Sequence, residues 1–414
     1  MASSLARSTA LAPSVALRLP KRLVPTTTTP MAYAASVTPT TGPVPDSAAA
    51  KAHHVLGRHG ERVGFVNPHP SAGVRLSITQ QGSRALKAKW RGELAMPNGK
   101  DHKIKVVEPA LLKTRAPPAS LRATWLGHAC YFIEFPSGLR LLFDPVFEKT
   151  CSPLPEWMPP NLARITPPPC LPKDLPFVDA VVISHSHYDH LSLNTVKGLV
   201  ATHPGVHFFV GLGLASWFRS SGIDNVTEMD WWEDRELKLV DKDAQHEILA
   251  TVSCLPCQHT SGRTLSDRDT TLWASWAVSS GGRSVWFGGD TGYRAVPQLP
   301  RGEDDYGPQH ADLPRNPDFA DIGRLRGPFD LGLIPIGAYD PRWLFSPVHS
   351  DPFDAVEIFK DTRCARAMGV HWGTWVLTTE AVEDPPRLLK EALRRSGLEE
   401  GVFDVCAVGE TREF

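Results

Sequence analysis

The chain has 414 residues, with 44 Lys+Arg against 45 Asp+Glu for a net charge of −1, and 42% of it is hydrophobic. That balance excludes a fully disordered chain and argues against a generic nucleic-acid binder, which carries a basic excess. No stretch reaches the length of an apolar membrane span, the best run being His207–Phe218, which glycines interrupt. Seven scattered cysteines suit a reduced compartment better than a disulfide scaffold.

Residues 1–45 differ from the rest. Before Asp46 there is no carboxylate, while Arg7, Arg18, Lys21 and Arg22 stand among Ala, Ser, Thr and Pro. Basic, hydroxyl-rich and acid-free is the composition of an organelle transit peptide, and Ala6–Leu23 can form a short amphipathic helix before Pro25 stops it. The segment is therefore expected to be a transit peptide for a mitochondrion or other organelle, or else a plain disordered tail on a cytoplasmic, membrane-associated protein. Residues 46–120 are rich in Gly, Pro and Lys with little periodicity, and read as an irregular arm wrapping the core. The main domain is expected over 121–414.

From Leu121 the patterns sharpen. Ala123–Phe135 and Leu139–Phe143 flank a Pro-Ser-Gly turn and predict a hairpin. Asp179–Ser184 predicts a buried strand, and a helix follows over Ser192–Ala201. Further strands are expected at His207–Val210, Ala250–Leu255, Leu272–Ser279, Ser284–Gly288 and Leu331–Pro335, with helices at Pro352–Asp361 and Pro386–Ser396. Strands first, then strands mixed with helices, predict a layered α/β architecture.

Directly after the strand at Asp179 comes His185-Ser186-His187-Tyr188-Asp189-His190. Buried histidines usually need one partner each, and several side by side would strand polar nitrogens unless a metal takes them. In an extended turn His185 and His187 point the same way and can share one ion, while Asp189 and His190 reach a second. Nitrogen and carboxylate ligands without thiolate suit zinc ahead of iron or manganese. More ligands stand at the ends of expected strands: His259, Asp290 in Gly288-Gly289-Asp290-Thr291-Gly292, and His371 in His371-Trp372-Gly373-Thr374. Strand ends are where α/β folds gather their sites.

The order HxHxDH, His, GDTG, His resembles the metallo-β-lactamase superfamily of binuclear zinc hydrolases. Within it, Trp125–Ala129, Ile183–Leu191, Gly288–Tyr293, Gly327–Asp330, Ile334–Trp343, His349–Pro352 and His371–Thr374 are similar to the N-acylphosphatidylethanolamine-hydrolysing phospholipase D family. The likeness runs from about Leu121 to the C-terminus. It implies an α/β fold, the βαβα sandwich of two mixed β-sheets flanked by helices, and two zinc ions per chain. It implies His185, His187 and His259 on one ion, Asp189, His190 and His371 on the other, and Asp290 bridging. Asp144 matches a position that orients the ligand loop, although an Asp-Pro turn explains it equally well. Tyr188 and His349 match positions that contact the substrate phosphate, and His128 is a weaker candidate for the pocket.

The implied reaction is hydrolysis of N-acylphosphatidylethanolamine to phosphatidic acid and an N-acylethanolamine, with Asp290 and His349 as catalytic residues. His349 and a metal-bound water are both open as the source of the leaving group's proton. The implied partners are a phospholipid substrate and a peripheral membrane surface, without nucleic acid, and the resemblance implies a homodimer. The alternative is another hydrolase of the superfamily, acting on a soluble phosphodiester or a sugar-phosphate lactone. An apolar approach is expected among Trp157-Met158, Trp217-Phe218, Trp231-Trp232 and Trp343-Leu344-Phe345. Arg294–Arg326 reads as an inserted loop able to shield the pocket mouth. Cys254-Leu255-Pro256-Cys257 lies on an expected strand without a second pair, and Gly211-Leu212-Gly213 lacks a third glycine, so neither carries a redox or nucleotide reading.

Overall fold

The computed structural model describes residues 33–414, apart from 75–77, 101, 154–161, 242–245, 265 and 301. In chain order they form β1 (Ala34–Thr40), the hairpin β2 (His54–Leu56) and β3 (Arg62–Phe65), and helix α1 (Ile78–Trp90). Strands β4 (Arg122–Gly127), β5 (Cys130–Glu134), β6 (Arg140–Phe143) and β7 (Ala180–Val182) follow, then α2 (Leu193–Thr202), β8 (His207–Gly211), α3 (Ala215–Ser220) and β9 (Val226–Met229). Next come β10 (Asp234–Val240), β11 (Glu247–Leu255), β12 (Ser275–Ser280), β13 (Arg283–Phe287), α4 (Asp318–Leu325) and β14 (Phe329–Pro335). The chain closes with α5 (Arg342–Phe345), α6 (Pro352–Asp361), β15 (Cys364–Val370), α7 (Asp384–Arg395), β16 (Phe403–Asp404) and β17 (Thr411–Glu413).

One sheet of eight strands runs β1-β10-β11-β12-β13-β14-β15-β16, and one of seven runs β17-β4-β5-β6-β7-β8-β9. Both are mixed, with parallel pairing from β13 to β16 and from β6 to β9. Side chains alternate between two cores. On β5, Tyr131 and Ile133 join the core between the sheets, while Phe132 joins Leu142, Ile183, Phe208 and Phe218 under α2 and α3. Burial on both faces is why these strands read as continuous apolar runs. Phe143 and Phe287 meet across the sheets with ring centroids 4.7 Å apart. This is the expected sandwich.

Local chemistry sets the element ends. Ser192 caps α2 by accepting from the Thr195 N–H, and Asp351 caps α6 by accepting from the Asp354 N–H, with Pro352 at the first helical position. The span expected as one strand over Ala123–Phe135 breaks in two, because Gly127 (φ +100°) and His128 (φ +51°) turn the chain between β4 and β5. Leu272–Ala274 stays outside β12, which begins at Ser275.

Three expectations at the edges of the fold are corrected. Ala34–Thr40, expected within the tail, is β1, paired antiparallel with β10 along its whole length. The arm over 46–120 is not wholly irregular, since it holds the β2–β3 hairpin and α1. Arg294–Arg326 is not a loop throughout, because its end forms α4, whose Phe319 and Ile322 enter the core. The expected helix Ala6–Leu23 lies outside the described residues. Among the described residues no helix is long and apolar enough to cross a membrane.

Candidate metal centre

The carboxyl ends of the parallel strands meet at one rim, the place where such sheets gather their sites. There β6 leads to Asp144, β7 leads into the histidine loop, β13 leads to Asp290 and β15 to His371. Gly289 has φ +59°, and a Cβ on it would lie 2.6 Å from the Ser184 Cβ. Only glycine lets Asp290 come up beside that loop. Asp144 (φ +38°), His128 (φ +51°) and His371 (φ +62°) also sit in the left-handed region, a cost that is borne where the surroundings hold a residue in place.

Two groups of ligand-type side chains face each other. In the first, the Nδ1 of His187 lies 2.8 Å from His185 Nε2 and 3.2 Å from His259 Nε2. In the second, Asp189 Oδ2 lies 3.1 Å from His128 Nε2 and 3.4 Å from the Nε2 atoms of both His190 and His371. Asp290 Oδ2 stands between them, 3.1 Å from His190 and His371 Nε2, 3.6 Å from His259 Nε2 and 3.8 Å from His185 Nε2. His349 joins from the side with Nδ1 at 4.0 Å from the same oxygen.

The outer nitrogens of His185, His190 and His259 are already engaged, which turns their Nε2 atoms inward. His190 Nδ1–H donates to Asp144 at 2.6 Å, and His259 Nδ1–H donates to the Val348 carbonyl at 2.8 Å. His185 Nδ1–H donates to Ser184 Oγ at 2.9 Å, and that hydroxyl donates on to Asp144 at 2.5 Å. Asp144 also accepts the Ser184 N–H at 2.7 Å, so it orients the loop and is more than an Asp-Pro turn.

Burial opposes every charge here, yet His190 and His371 hold Asp189 and Asp290 well below the usual carboxylate range. The converse holds for the imidazoles. Against burial, Asp290, Asp189 and Asp144 keep His190 well above its usual value, and Asp290 and Asp189 raise His371 to about 9. Burial pushes His185 and His259 well below the usual range, His128 to about 3 and His349 to about 4. Two carboxylates buried among these imidazoles require positive charge beside them. A divalent cation meets that requirement.

The residues fit such a cation. His190 Nε2, His371 Nε2, Asp290 Oδ1 and His349 Nδ1 are buried without a hydrogen-bond partner. Each orphaned polar atom costs on the order of 1–3 kcal/mol unless something meets it. Ligand atoms near 3 Å apart are also what tetrahedral bonds of about 2 Å require. The two groups together form a histidine and aspartate cluster suited to a binuclear metal site.

Residues 139–372, more than half of the chain, match the β-lactamase superfamily domain. The chain belongs to the metallo-β-lactamase superfamily. Over 302 residues it is 37% identical to N-acyl-phosphatidylethanolamine-hydrolyzing phospholipase D 1 of Caenorhabditis elegans, covering 71% of this chain and 76% of that one. The mitochondrial N-acyl-phosphatidylethanolamine-hydrolyzing phospholipase D of Saccharomyces cerevisiae is 31% identical over 287 residues, 68% of this chain and 53% of its own. Among solved structures, a possible metal-dependent hydrolase from Veillonella parvula shares the fold at a TM-score of 0.50 and 14% identity, covering 72% of this chain and 100% of that one.

This superfamily centre opens on a cavity of about 1140 Å³ that reaches His187. Val66, Pro70, Ala72, Trp343, Leu344 and Val348 give it an apolar lining. Of the four aromatic clusters considered for this role, only Trp343-Leu344-Phe345 contributes among the described residues, through Trp343 and Leu344 but not Phe345. Trp231 and Trp232 are core, Phe218 is buried with Trp217 packed beside it, and Trp157-Met158 lies outside the described residues. Burial pushes the Cys254 and Cys257 thiols well up, in keeping with an inert core pair.

Sequence reasoning missed or underrated several residues at the centre. His128, the weak candidate, hydrogen-bonds Asp189 directly. Arg263 donates to the carbonyls of Ser186 and Leu191, both at 2.8 Å, and its guanidinium lies 3.9 Å over the Tyr188 ring, clamping the histidine loop from outside. Tyr188 is therefore engaged by Arg263, and it is not part of either ligand group. Asn67 donates to the His259 carbonyl at 2.8 Å. Neither Arg263 nor Asn67 belongs to a spacing pattern, so nothing in the sequence marked them.

Proposed function

We propose that this protein is a zinc-dependent phosphodiesterase of phospholipase D type, hydrolysing N-acylphosphatidylethanolamine to phosphatidic acid and an N-acylethanolamine. The observation that carries the reading is the convergence of both histidine groups on Asp290 Oδ2 beside an apolar-lined cavity. The substrate class is supported by the similarity to the C. elegans and S. cerevisiae phospholipases. An organellar, membrane-peripheral location is part of the proposal, supported by the acid-free basic leader and by the mitochondrial yeast relative.

His185, His187 and His259 would hold one zinc ion, Asp189, His190 and His371 the other, with Asp290 shared. Bound zinc supplies Lewis acidity toward a phosphodiester oxygen and acidifies water at neutral pH. The chain's own contribution is position. Asp144 and the Val348 carbonyl aim the imidazoles of His190 and His259. His349, beside Asp290, and Tyr188, on the loop, are assigned to the phosphate oxygens. The apolar walls hold acyl chains and keep bulk water from the diester. Water's oxygen bonds to phosphorus and gives up a proton, and the bond from phosphorus to the ethanolamine-side oxygen breaks, that oxygen taking up a proton to leave as the N-acylethanolamine.

Turnover of N-acylphosphatidylethanolamine in mixed micelles made with oxygen-18 water, read by mass spectrometry, tests this. Label in phosphatidic acid beside unlabelled N-acylethanolamine is the expected result. Absence of turnover by zinc-loaded protein refutes the phospholipase reading and leaves the superfamily fold and the ligand cluster.

A further inference from the structure

We propose that helix α1 is the surface by which this protein docks on an anionic phospholipid bilayer, bringing the cavity mouth to the membrane. The purpose of such docking rests on the phospholipase reading, while the observations behind it do not.

Ile78–Gly92 carries Arg84, Lys87, Lys89 and Arg91 and no carboxylate, in a protein whose charges otherwise nearly balance. Arg91 meets Glu93 just beyond it, at 2.6 Å. Ala88 is fully buried and marks the inward side of the helix. Leu86 and Trp90, one turn apart, point the other way and are 70% and 90% exposed. At 3.6 residues per turn, Lys87 and Lys89 fall on the two flanks of that apolar pair. Val74, shortly before the helix, is 86% exposed as well.

An apolar crest with tryptophan at its centre and lysines on both shoulders is the pattern of a helix lying in a lipid interface. Tryptophan settles at headgroup depth, and each lysine gains from the negative surface potential. Charge also separates this occupant from a second copy of the chain. A two-fold contact would set Arg84, Lys87 and Lys89 of one helix against the same three of its partner. The position relates the surface to the site, because Arg84 and Lys87 of this helix, and Arg91 just beyond it, line the same cavity as His187. Docking by α1 therefore delivers a bilayer phosphodiester to the mouth that leads to the ligand cluster.

The test is co-sedimentation of the full chain with vesicles of phosphatidylcholine alone and of phosphatidylcholine mixed with phosphatidylglycerol, with turnover in detergent micelles measured in parallel. The wild type is expected to bind the anionic vesicles and to bind neutral ones weakly. The double variant Leu86→Ser/Trp90→Ser is expected to lose about tenfold or more in anionic vesicle binding, and Lys89→Glu about tenfold. Leu86→Ser/Trp90→Ser, whose side chains are exposed, should keep its turnover of micellar substrate.

Equal vesicle binding by wild type and variants overturns the proposal, as does binding indifferent to headgroup charge. A drop in molar mass of the Leu86→Ser/Trp90→Ser protein by light scattering also overturns it, because the crest would then be covered by a second copy. A wild type that binds anionic vesicles through α1 but turns over no micellar substrate supports the docking surface and breaks the phospholipase reading instead.

Discussion

The metal centre and the N-terminal arm carry their information in different ways. At the centre every role is chemical, and few residue types can fill it: five imidazoles ring Asp290 Oδ2 at 3.1 to 4.0 Å. In the arm the ties are backbone groups and single polar side chains. Phe65 N–H donates to the Asp269 carbonyl at 2.8 Å, Ser71 Oγ–H donates to Gln258 at 2.6 Å, and Asn67 holds the His259 carbonyl. Yet Val66, Pro70, Ala72 and α1 from this arm form a wall of the cavity. Ligand chemistry is written in residue identity, whereas a wall is written in shape, which many sequences can make.

If that contrast is right, substitutions at the centre should remove the chemistry and those in the arm should change access or stability. The largest effect is expected for Asp290→Asn, which keeps the shape and removes the charge shared by both groups. Turnover should fall by on the order of a thousandfold, equivalent to about 4 kcal/mol of barrier, with loss of bound metal by elemental analysis. Chelation should abolish turnover and added zinc restore it. A loss smaller than about tenfold would remove Asp290 from the shared position.

Asp144→Asn should cost about 10–100-fold in activity or metal affinity, as outer partners of ligand histidines do. Titration with zinc would show whether affinity accounts for the loss. Asn67→Ala removes one hydrogen bond between arm and centre, about 1 kcal/mol. It should raise KM several-fold and leave kcat nearly unchanged. A fall in kcat comparable to that of Asp144→Asn would mean that the arm belongs to the catalytic apparatus.

The smallest effect on activity is expected at Asp230, where Lys51 and His53, each at 2.7 Å, fasten the start of the arm to the core. Burial alone would raise this carboxyl, but the hydrogen bonds from His53 and Lys51 outweigh it and hold it well below the usual range. A depressed carboxylate stabilises the fold above its unfolded value of about 4 and loses that contribution as the pH falls through its folded one. Asp230→Asn should therefore lower Tm by about 2–4 °C at neutral pH, with the gap to wild type closing in acid. A gap that widened in acid would contradict the tie.

Several mismatches between sequence and fold have the same origin. β1 has mostly exposed side chains and joins its sheet by backbone pairing with β10, so Ala34–Thr40 carries no apolar alternation to find. Trp231-Trp232 and Trp343-Leu344 look alike as strings, but the first pair is folded into the core and the second lines the cavity. For Asp144 the sequence left a turn and an orienting role equally open, and three hydrogen bonds from Ser184 and His190 decide between them.

The histidine and aspartate chemistry, the layered fold and the superfamily were legible from residues alone, because coordination demands particular side chains and buried strands demand apolar ones. Folding was needed to bring His128 onto Asp189, to set Arg263 over Tyr188 and to turn the arm into a cavity wall. Those outcomes depend on distances between segments far apart in the chain and on backbone groups that every residue carries, so no local pattern could announce them.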